Sequence, residues 1–178
     1  LGRREQNEGQ HRQERQRAGA VETGEVAITF LATIFKKVKL NTHENVGWGK
    51  IAIPEENLHT TACWVTFDEE ATRGLGRDDV ASGLLGIGHL ARNLAPIYCL
   101  CDIGADAQVR SPSTELPTVF LYDMVPGGVG LADKLFEARG RLLAACLELV
   151  RTCECEDGCP GCVGPQVERL SSAKRAAA

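Results

Sequence analysis

The sequence predicts an α+β domain, with a small, mainly antiparallel sheet, two principal helices and a C-terminal knot of four cysteines. Strand-like segments rich in β-branched and aromatic residues fill the first half, and two segments with helical periodicity follow. The cysteines form C-x-C-x3-C-x2-C directly after the second helical segment. The chain has 178 residues, 43% of them apolar and 25% charged, which suits one soluble globular domain, alone or with a tail.

Residues 1–24 are predicted to be a polar, flexible linker. They are mostly Arg, Gln, Glu and Gly, which bury too little apolar surface to fold, and an arm that binds nucleic acid is the alternative. They lack the apolar core of a secretory signal, and no apolar run suggests a membrane span, so we expect a reducing, cytoplasmic location. Because the sequence starts with leucine, we expect it to be part of a longer protein or a processed product.

The sheet is predicted from two segments in the first half. "EVAITFLATIFKKVKL", from Glu25, has the partial alternation of a half-buried strand. "NTHENVGWGK" supplies the Asn and Gly residues of a turn, and "HTTACWVTF" is typical of a further strand. Together they favour a small antiparallel sheet.

The first helix is predicted between Asp78 or Asp79, either of which can cap an N-terminus, and Pro96, which would end it. Its apolar residues recur every three or four positions: Val80, Leu84, Ile87, Ala91 and Leu94. Its polar face carries Ser82, His89, Arg92 and Asn93. The apolar run "IYCLCD" that follows predicts a short buried strand.

A second strand–helix pair follows. "RSPSTELP" is typical of a loop, "TVFLYDMV" of a strand and "PGGVG" of a sharp turn. A helix is predicted from about Leu131 to Val150, although Gly140 costs it about 1 kcal/mol of helix propensity. The residues predicted for its buried face are Leu131, Leu135, Leu142, Cys146 and Leu149.

The four clustered cysteines have the composition of a closed, structural zinc site. The thiolates of Cys153, Cys155, Cys159 and Cys162 can complete a tetrahedral shell, which leaves no open position for catalysis. Gly158, Pro160 and Gly161 allow the chain to reverse around one ion. Because Zn²⁺ with four thiolates is negatively charged, we expect the neighbouring acidic side chains, Glu154, Glu156 and Asp157, to be exposed.

Three alternatives to zinc use the same thiols. An iron–sulfur cluster takes the same ligands at comparable spacings. A pair of disulfides is disfavoured by a reducing compartment, and a redox-active C-x-x-C lacks a thioredoxin-like context. The other cysteines, Cys63, Cys99, Cys101 and Cys146, lie among apolar residues and are predicted to be small core residues.

Catalytic motifs are absent from the sequence, so no catalytic residue is predicted. There is no phosphate loop of the type G-x-x-x-x-G-K-[ST], no H-E-x-x-H and no G-x-S-x-G. The turn around Gly127, Gly128 and Gly130 lies between a strand and a helix N-terminus, where an anion can bind. Asp133 stands where the third glycine of a dinucleotide fingerprint would be, which favours glycines that permit tight packing instead.

Charge is distributed unevenly along the chain. Residues 1–20 contain five arginines and three glutamates, so the remaining residues, with 15 basic and 21 acidic groups, carry a net charge of −6. An acidic body disfavours an independent nucleic-acid-binding domain, whose affinity would depend on clustered Lys and Arg.

Three segments in order resemble the MrfA-like zinc-binding domain, found at the C-terminal end of certain DEAD/DEAH-box superfamily 2 helicases. They are "NLAPIYCLCD", "LYDMVPGGVGLADKLFE" and "CECEDGCPGCVGP", and the resemblance covers about residues 25–165, with 166–178 left as a tail. It implies structural zinc on the four clustered cysteines. It also implies a parent protein that is an ATP-dependent 3′→5′ DNA helicase linked to DNA repair, with ATP and Mg²⁺ bound in its motor domains.

In that setting this domain would pack against the motor domains of its own chain and help to guide single-stranded DNA. Local contacts to the strand or its phosphates are predicted for Gly127, Gly128, Gly130, Arg92, Lys134 and Arg139. The alternative is a protein-interaction module in which zinc fixes a docking surface without touching nucleic acid.

Overall fold

The computed structural model describes residues 4–6, 12–16, 19–32, 34–165 and 173–178. Eight strands lie within these ranges: β1 Arg4–Gln6, β2 Arg12–Gln16, β3 Gly19–Phe30, β4 Ile34–Val38, β5 Asn45–Lys50, β6 Glu56–Thr66, β7 Gly104–Gln108 and β8 Thr118–Tyr122. The helices are α1 Arg77–Leu94, α2 Pro96–Cys99, α3 Leu131–Thr152 and α4 Ala173–Ala177. No described helix has the length and apolar character needed to cross a membrane. The predicted α+β class, with an antiparallel sheet and two long helices, is confirmed.

The main sheet has the strand order β1-β3-β6-β8-β7, with β2 also paired to β3, and each of its strand pairs is antiparallel. β3 and β6 form its centre, in a register that runs from Val21 opposite Val65 to Phe30 opposite Glu56. Strands β4 and β5 pair with each other in a separate two-stranded sheet.

Both faces of the main sheet are buried, because side chains alternate along each strand. On one face Val21, Cys63 and Leu121 pack with residues of α1 and α3. On the other face Trp64 and Phe120 pack with their ring centroids 5.9 Å apart, among Val26, Ile28, Ala62 and Tyr122. The predicted strands "HTTACWVTF" and "TVFLYDMV" correspond to β6 and β8 and are confirmed.

Helix α1 ends before Pro96 as predicted, but it differs from its prediction at the N-terminus and in one residue of its polar face. Gly76 is the N-cap residue, and its N–H donates to the carboxylate of Asp79 at 3.3 Å, so neither Asp78 nor Asp79 is the cap. Pro96 ends α1 but also begins the short helix α2, where a missing N–H costs nothing. Ser82, assigned to the polar face, is fully buried.

Several predicted segments are wrong in kind or in extent. "IYCLCD" contributes to α2 rather than a strand, and the strand of this region is β7, a half-buried edge strand directly after Ile103. The segment from Glu25 splits into β3 and β4, and β4 is exposed throughout, because it pairs only with β5 and lies outside the main sheet. The predicted turn segment contains β5.

The ends of the chain also contribute elements. Residues 19–24 of the predicted linker belong to β3, whose central position in the sheet outweighs their polar composition, and β1 and β2 pair with that strand. In the predicted tail, α4 packs on α1: a Cβ added at Gly83 would lie 2.8 Å from the Ala176 carbonyl oxygen. The close approach of the two backbones therefore needs a residue without a side chain.

Candidate metal centre

Helix α3 carries the chain directly to the cysteine cluster. The N–H of Cys153 donates to the carbonyl of Leu149 at 3.1 Å and closes the last helical turn, and Cys153 itself is extended. The chain then reverses through Gly158 and Gly164, which have φ values of 107° and 90°. Such positive φ values suit glycine, so the predicted role of Gly158 in the reversal is confirmed.

The four sulfur atoms converge on one point. The Sγ of Cys153 lies 3.4 Å from that of Cys155 and 3.7 Å from that of Cys159, and the Sγ of Cys162 lies 3.6 and 3.7 Å from those of Cys155 and Cys159. All four lie within 4.8 Å of one another. A tetrahedral ion with metal–sulfur distances of 2.3 Å requires sulfur separations of about 3.8 Å. The donor set and its spacing therefore fit a single tetrahedral metal ion.

The electrostatic environment differs between the thiols of this cluster. Backbone hydrogen bonds from Gly161 and Cys162 lower the pKa of Cys159 from 9.0 to about 7. Burial, followed by hydrogen bonds to the neighbouring thiols, raises the pKa of Cys155 to about 11. Metal ligation requires thiolates, so the hydrogen bonds to Cys159 favour the form of this thiol that binds a metal. Glu154, Glu156 and Asp157 are exposed, as predicted.

Two side chains far away in the sequence support the cysteine loop. His89 Nε2 lies 2.9 Å from the carbonyl oxygen of Pro160 and 2.8 Å from Asn93 Nδ2. Lys174 Nζ donates to the carbonyl of Cys153 at 2.6 Å and also to that of Cys155. His89 was predicted only as a polar-face residue and Lys174 not at all, because contacts over 71 and 21 residues leave no local signal.

The comparisons with known proteins point to the same segment. Residues 87–163 match the family described as the MrfA Zn-binding domain, and this match contains all four cysteines of the cluster. Residues 87–163 of this chain therefore match an MrfA-type zinc-binding domain.

Similarity to known proteins extends beyond residues 87–163 to most of the chain. An uncharacterized ATP-dependent helicase, YprA of Bacillus subtilis (strain 168), is 39% identical over 155 residues, which is 85% of this chain and 21% of that protein. A crystal structure of the DUF1998 helicase MrfA bound to DNA superposes with a TM-score of 0.76 at 34% identity, over 99% of this chain and 24% of the other. The uncharacterized protein MJ1572.1 of Methanocaldococcus jannaschii is 47% identical over 45 residues, 25% of this chain and 40% of that protein. The chain thus spans about a fifth to a quarter of the two helicases.

The glycine turn of the MrfA-type domain encloses a buried carboxylate. Asp123 is fully buried and accepts hydrogen bonds from the N–H groups of Val129, Leu131 and Ala132 at 2.6, 3.2 and 3.0 Å. The carboxylate of Asp123 thus occupies the N-terminus of α3, where a bound anion would otherwise lie. This arrangement favours the packing interpretation of the turn.

The glycines of that turn are needed for shape. Gly127, Gly128 and Gly130 have φ values of 80°, 71° and 82°. A Cβ added at Gly128 would lie 2.2 Å from Thr61 Oγ1, so the turn and β6 approach too closely for any side chain. The N–H groups of Gly127 and Gly128 donate to the carbonyls of His59 and Val125. Whether these glycines also contact nucleic acid stays a prediction.

The predicted basic contact residues lie in different surroundings. Arg92 is exposed and lines a groove of about 100 Å³ between α1 and β7 with His89 and Asp106. Lys134 is exposed on the first turn of α3. Arg139 is half-buried, with its guanidinium 4.5 Å from the ring centroid of Phe136, and donates to the carbonyl of that residue. Of these three side chains, Arg139 is therefore the one held by contacts within the domain.

The remaining cysteines follow their prediction with one exception. Cys63, Cys99 and Cys146 are buried, and burial raises the pKa of Cys63 to about 12 and that of Cys146 to about 11. Cys101 is exposed, so its assignment to the core is wrong. The reason is Leu100, which adopts a left-handed conformation at the end of α2 and directs the chain out of the core.

Proposed function

We propose that this chain is the structural-zinc accessory domain of an MrfA/YprA-type ATP-dependent DNA helicase. The observation that carries this proposal is the convergence of four thiols at single-ion spacing within the segment that matches the MrfA Zn-binding domain. ATP and Mg²⁺ would bind in the motor domains of the parent chain, of the DEAD/DEAH-box class. Residues 25–165 form the core of the accessory domain, with the start of β3 and helix α4 added to it.

Zinc suits the cysteine cluster better than an iron–sulfur cluster does. In a cluster of two or four irons, the four thiolates are divided among several metal ions, which spreads the sulfurs further apart than ligands of one ion. The sulfurs here lie within 4.8 Å of one another. Zinc would tie the end of α3 to the loop that contacts His89 on α1 and Lys174 on α4. The ion would thus fix the mutual positions of three helices and perform no chemistry.

The packing of the two long helices supports a bracing role. The apolar faces of α1 and α3 both pack against the main sheet in one buried core, which fixes the helices relative to the sheet. An enzymatic role for Asp123 has little support, since its carboxylate is fully buried and engaged by three backbone N–H groups. In the parent helicase the domain would support the cytoplasmic motor and help to guide the translocating single strand during DNA repair. Arg92 and Lys134 are exposed where they could assist.

Metal analysis and strand unwinding by the parent helicase test this function together. We expect one zinc per chain with four sulfur ligands by X-ray absorption, whereas iron with acid-labile sulfide would overturn the zinc assignment. In the parent protein, Cys162→Ser should abolish zinc binding and strongly reduce unwinding of a duplex with a 3′ tail. Cys101→Ser, which changes an exposed thiol outside the cluster, is the matched control. Normal unwinding by a zinc-free Cys162→Ser protein would refute the bracing role.

A further inference from the structure

The hairpin of residues 34–50, formed by β4 and β5, stands apart from the rest of the domain in composition. It contains four lysines and one glutamate, a net charge of +3, whereas the whole chain carries −4, so the other residues together carry −7. Glu44 is already paired with Lys39 at 2.8 Å near the tip. Lys36, Lys37 and Lys50 are exposed. The hairpin is therefore a basic arm on an acidic body.

Large apolar side chains of the hairpin are exposed together with these lysines. Trp48 is 64% exposed and Phe35 is 42% exposed, and Ile34, Val38, Leu40 and Val46 are exposed as well. Among the described residues, β4 and β5 have no strand partner except each other. A two-stranded hairpin of this kind is marginally stable in water, so an exposed surface of this character indicates a binding partner.

The strand register places an aromatic ring beside ammonium groups on each face. Lys36 on β4 lies directly opposite Trp48 on β5, and Lys50 is two residues beyond Trp48 on β5. The three side chains therefore share one face of the hairpin. On the other face the ring of Phe35 lies over Gly49, where an added Cβ would be 2.4 Å from ring atoms. Lys37 Nζ lies 5.6 Å from the centroid of that ring.

We propose that this hairpin binds single-stranded nucleic acid on both of its faces. One base would stack on Trp48, with phosphates held by Lys36 and Lys50, and another would stack on Phe35 on the opposite face, with a phosphate held by Lys37. Aromatic rings that alternate with cations suit a single strand, because its bases are unstacked and its backbone is anionic. The acidic body repels phosphates, so the strand is directed to the hairpin. This inference rests on the proposed function and adds to it the surface that contacts the strand.

Fluorescence of the two tryptophans gives a direct assay. Trp64 is 1% exposed and Trp48 is 64% exposed, so quenching by oligothymidylate at low salt reports mainly on Trp48. Trp48→Ala should weaken binding about tenfold or more, while Trp48→Phe, which keeps a stacking face, should retain most of the affinity. In these two variants the reporter itself is lost, so their affinity is measured by the fluorescence anisotropy of a dye-labelled oligothymidylate, alongside the unchanged chain. Equal affinity of Trp48→Ala and the unchanged chain would overturn the proposal.

Charge is tested separately with a matched pair of triple variants. Lys36→Ala/Lys37→Ala/Lys50→Ala should reduce the slope of log affinity against log salt by about 2, at roughly 0.7 per phosphate contact on a single strand. The control Arg73→Ala/Arg77→Ala/Arg151→Ala removes three exposed cations outside the hairpin and should leave the slope unchanged. An equal loss in both variants would show that only net charge matters and would overturn the hairpin as the site.

The remaining outcomes separate this proposal from the proposed function. If the unchanged chain fails to bind oligothymidylate at low salt, the proposal fails. If the hairpin lysines of the intact parent helicase are protected from acetylation without DNA and gain no protection when DNA is added, the hairpin is a protein-docking surface and the proposal fails. If the parent helicase unwinds normally with Trp48→Ala but not with Cys162→Ser, the hairpin proposal fails and the accessory function stands. If neither change affects unwinding, the accessory function fails as well.

Discussion

The body of the domain and the hairpin of residues 34–50 each contain one tryptophan, which is buried in the body and exposed in the hairpin. In the body, which comprises the main sheet, the helices and the cysteine loop, Trp64 is 1% exposed and its Nε1–H donates to Glu22 at 2.8 Å. In the hairpin, Trp48 is 64% exposed on a face shared with two lysines. A tryptophan stabilises the fold where it is surrounded by other side chains, and it is available to a partner where it is not. The contrast separates residues that maintain the fold from residues that meet a ligand.

The largest expected effect is loss of the metal from the body. Cys162→Ser removes a fully buried ligand and should prevent zinc binding, which in small metal-dependent segments contributes on the order of 10 kcal/mol to local folding. Thermal unfolding with parallel metal analysis should show an early transition in this variant and none in Cys101→Ser. Emission from Trp48 should not change below that transition, because the hairpin is a separate sheet. A simultaneous change would contradict the division into body and hairpin.

The two tryptophans provide the sharpest comparison. Trp64→Ala leaves a cavity beside Phe120 and should lower the free energy of unfolding by about 3–5 kcal/mol. Trp48→Ala removes an exposed side chain and should change it by less than about 0.5 kcal/mol. Equilibrium unfolding in urea measures both. A large loss of stability in Trp48→Ala would mean that the hairpin tryptophan serves the fold.

The buried carboxylate at α3 is expected to have an intermediate effect. Asp123→Asn keeps the shape but removes the charge that accepts three backbone hydrogen bonds, and should cost about 1–3 kcal/mol. Hydrogen exchange should accelerate at the amides of Val129, Leu131 and Ala132. Asp102→Asn changes an exposed carboxylate and serves as the control. Unchanged exchange would argue that Asp123 does not hold the helix terminus.

Two neighbouring glycines of the turn are expected to differ in the cost of an added side chain. Gly127→Ala places a side chain at a φ of 80° with no atom within 4 Å of its Cβ, and should cost about 1 kcal/mol. Gly128→Ala has a similar φ but would bring its Cβ to 2.2 Å from Thr61, so it should cost about 1–3 kcal/mol more. Denaturant midpoints of the two variants test the difference. Equal midpoints would show that the contact with β6 is loose.

Prediction from sequence succeeded where the signal is local. The spacing of Cys153, Cys155, Cys159 and Cys162 identified a set of thiols that the structure brings together. The apolar periodicity of the second helix was right for Leu131, Leu135, Leu142 and Cys146, which are buried, and α3 extends only two residues beyond Val150. Both patterns depend on residues close in the chain, and helix geometry or a short loop converts such patterns directly into proximity.

Prediction failed where the outcome depends on distant partners. "IYCLCD" is as apolar as a strand, yet its first residues form α2, because Pro96 suits the first position of a helix and β7 already occupies the sheet edge. Ser82 was assigned to solvent, but the packing of α1 buries it. The exposed hairpin resembles a half-buried strand in sequence, since period-2 alternation records a potential core face and not whether anything covers it.

The sequence by itself determined the α+β class, the two long helices and which four thiols lie together after the second of them. Only the tertiary structure decided that Asp123 occupies the N-terminus of α3, that His89 and Lys174 support the cysteine loop, and that the basic hairpin lies outside the sheet. The physical reason is the distance along the chain over which each interaction acts. Turn chemistry, helical periodicity and ligand spacing act over a few residues, whereas a buried carboxylate or an uncovered aromatic ring depends on what the whole fold places beside it.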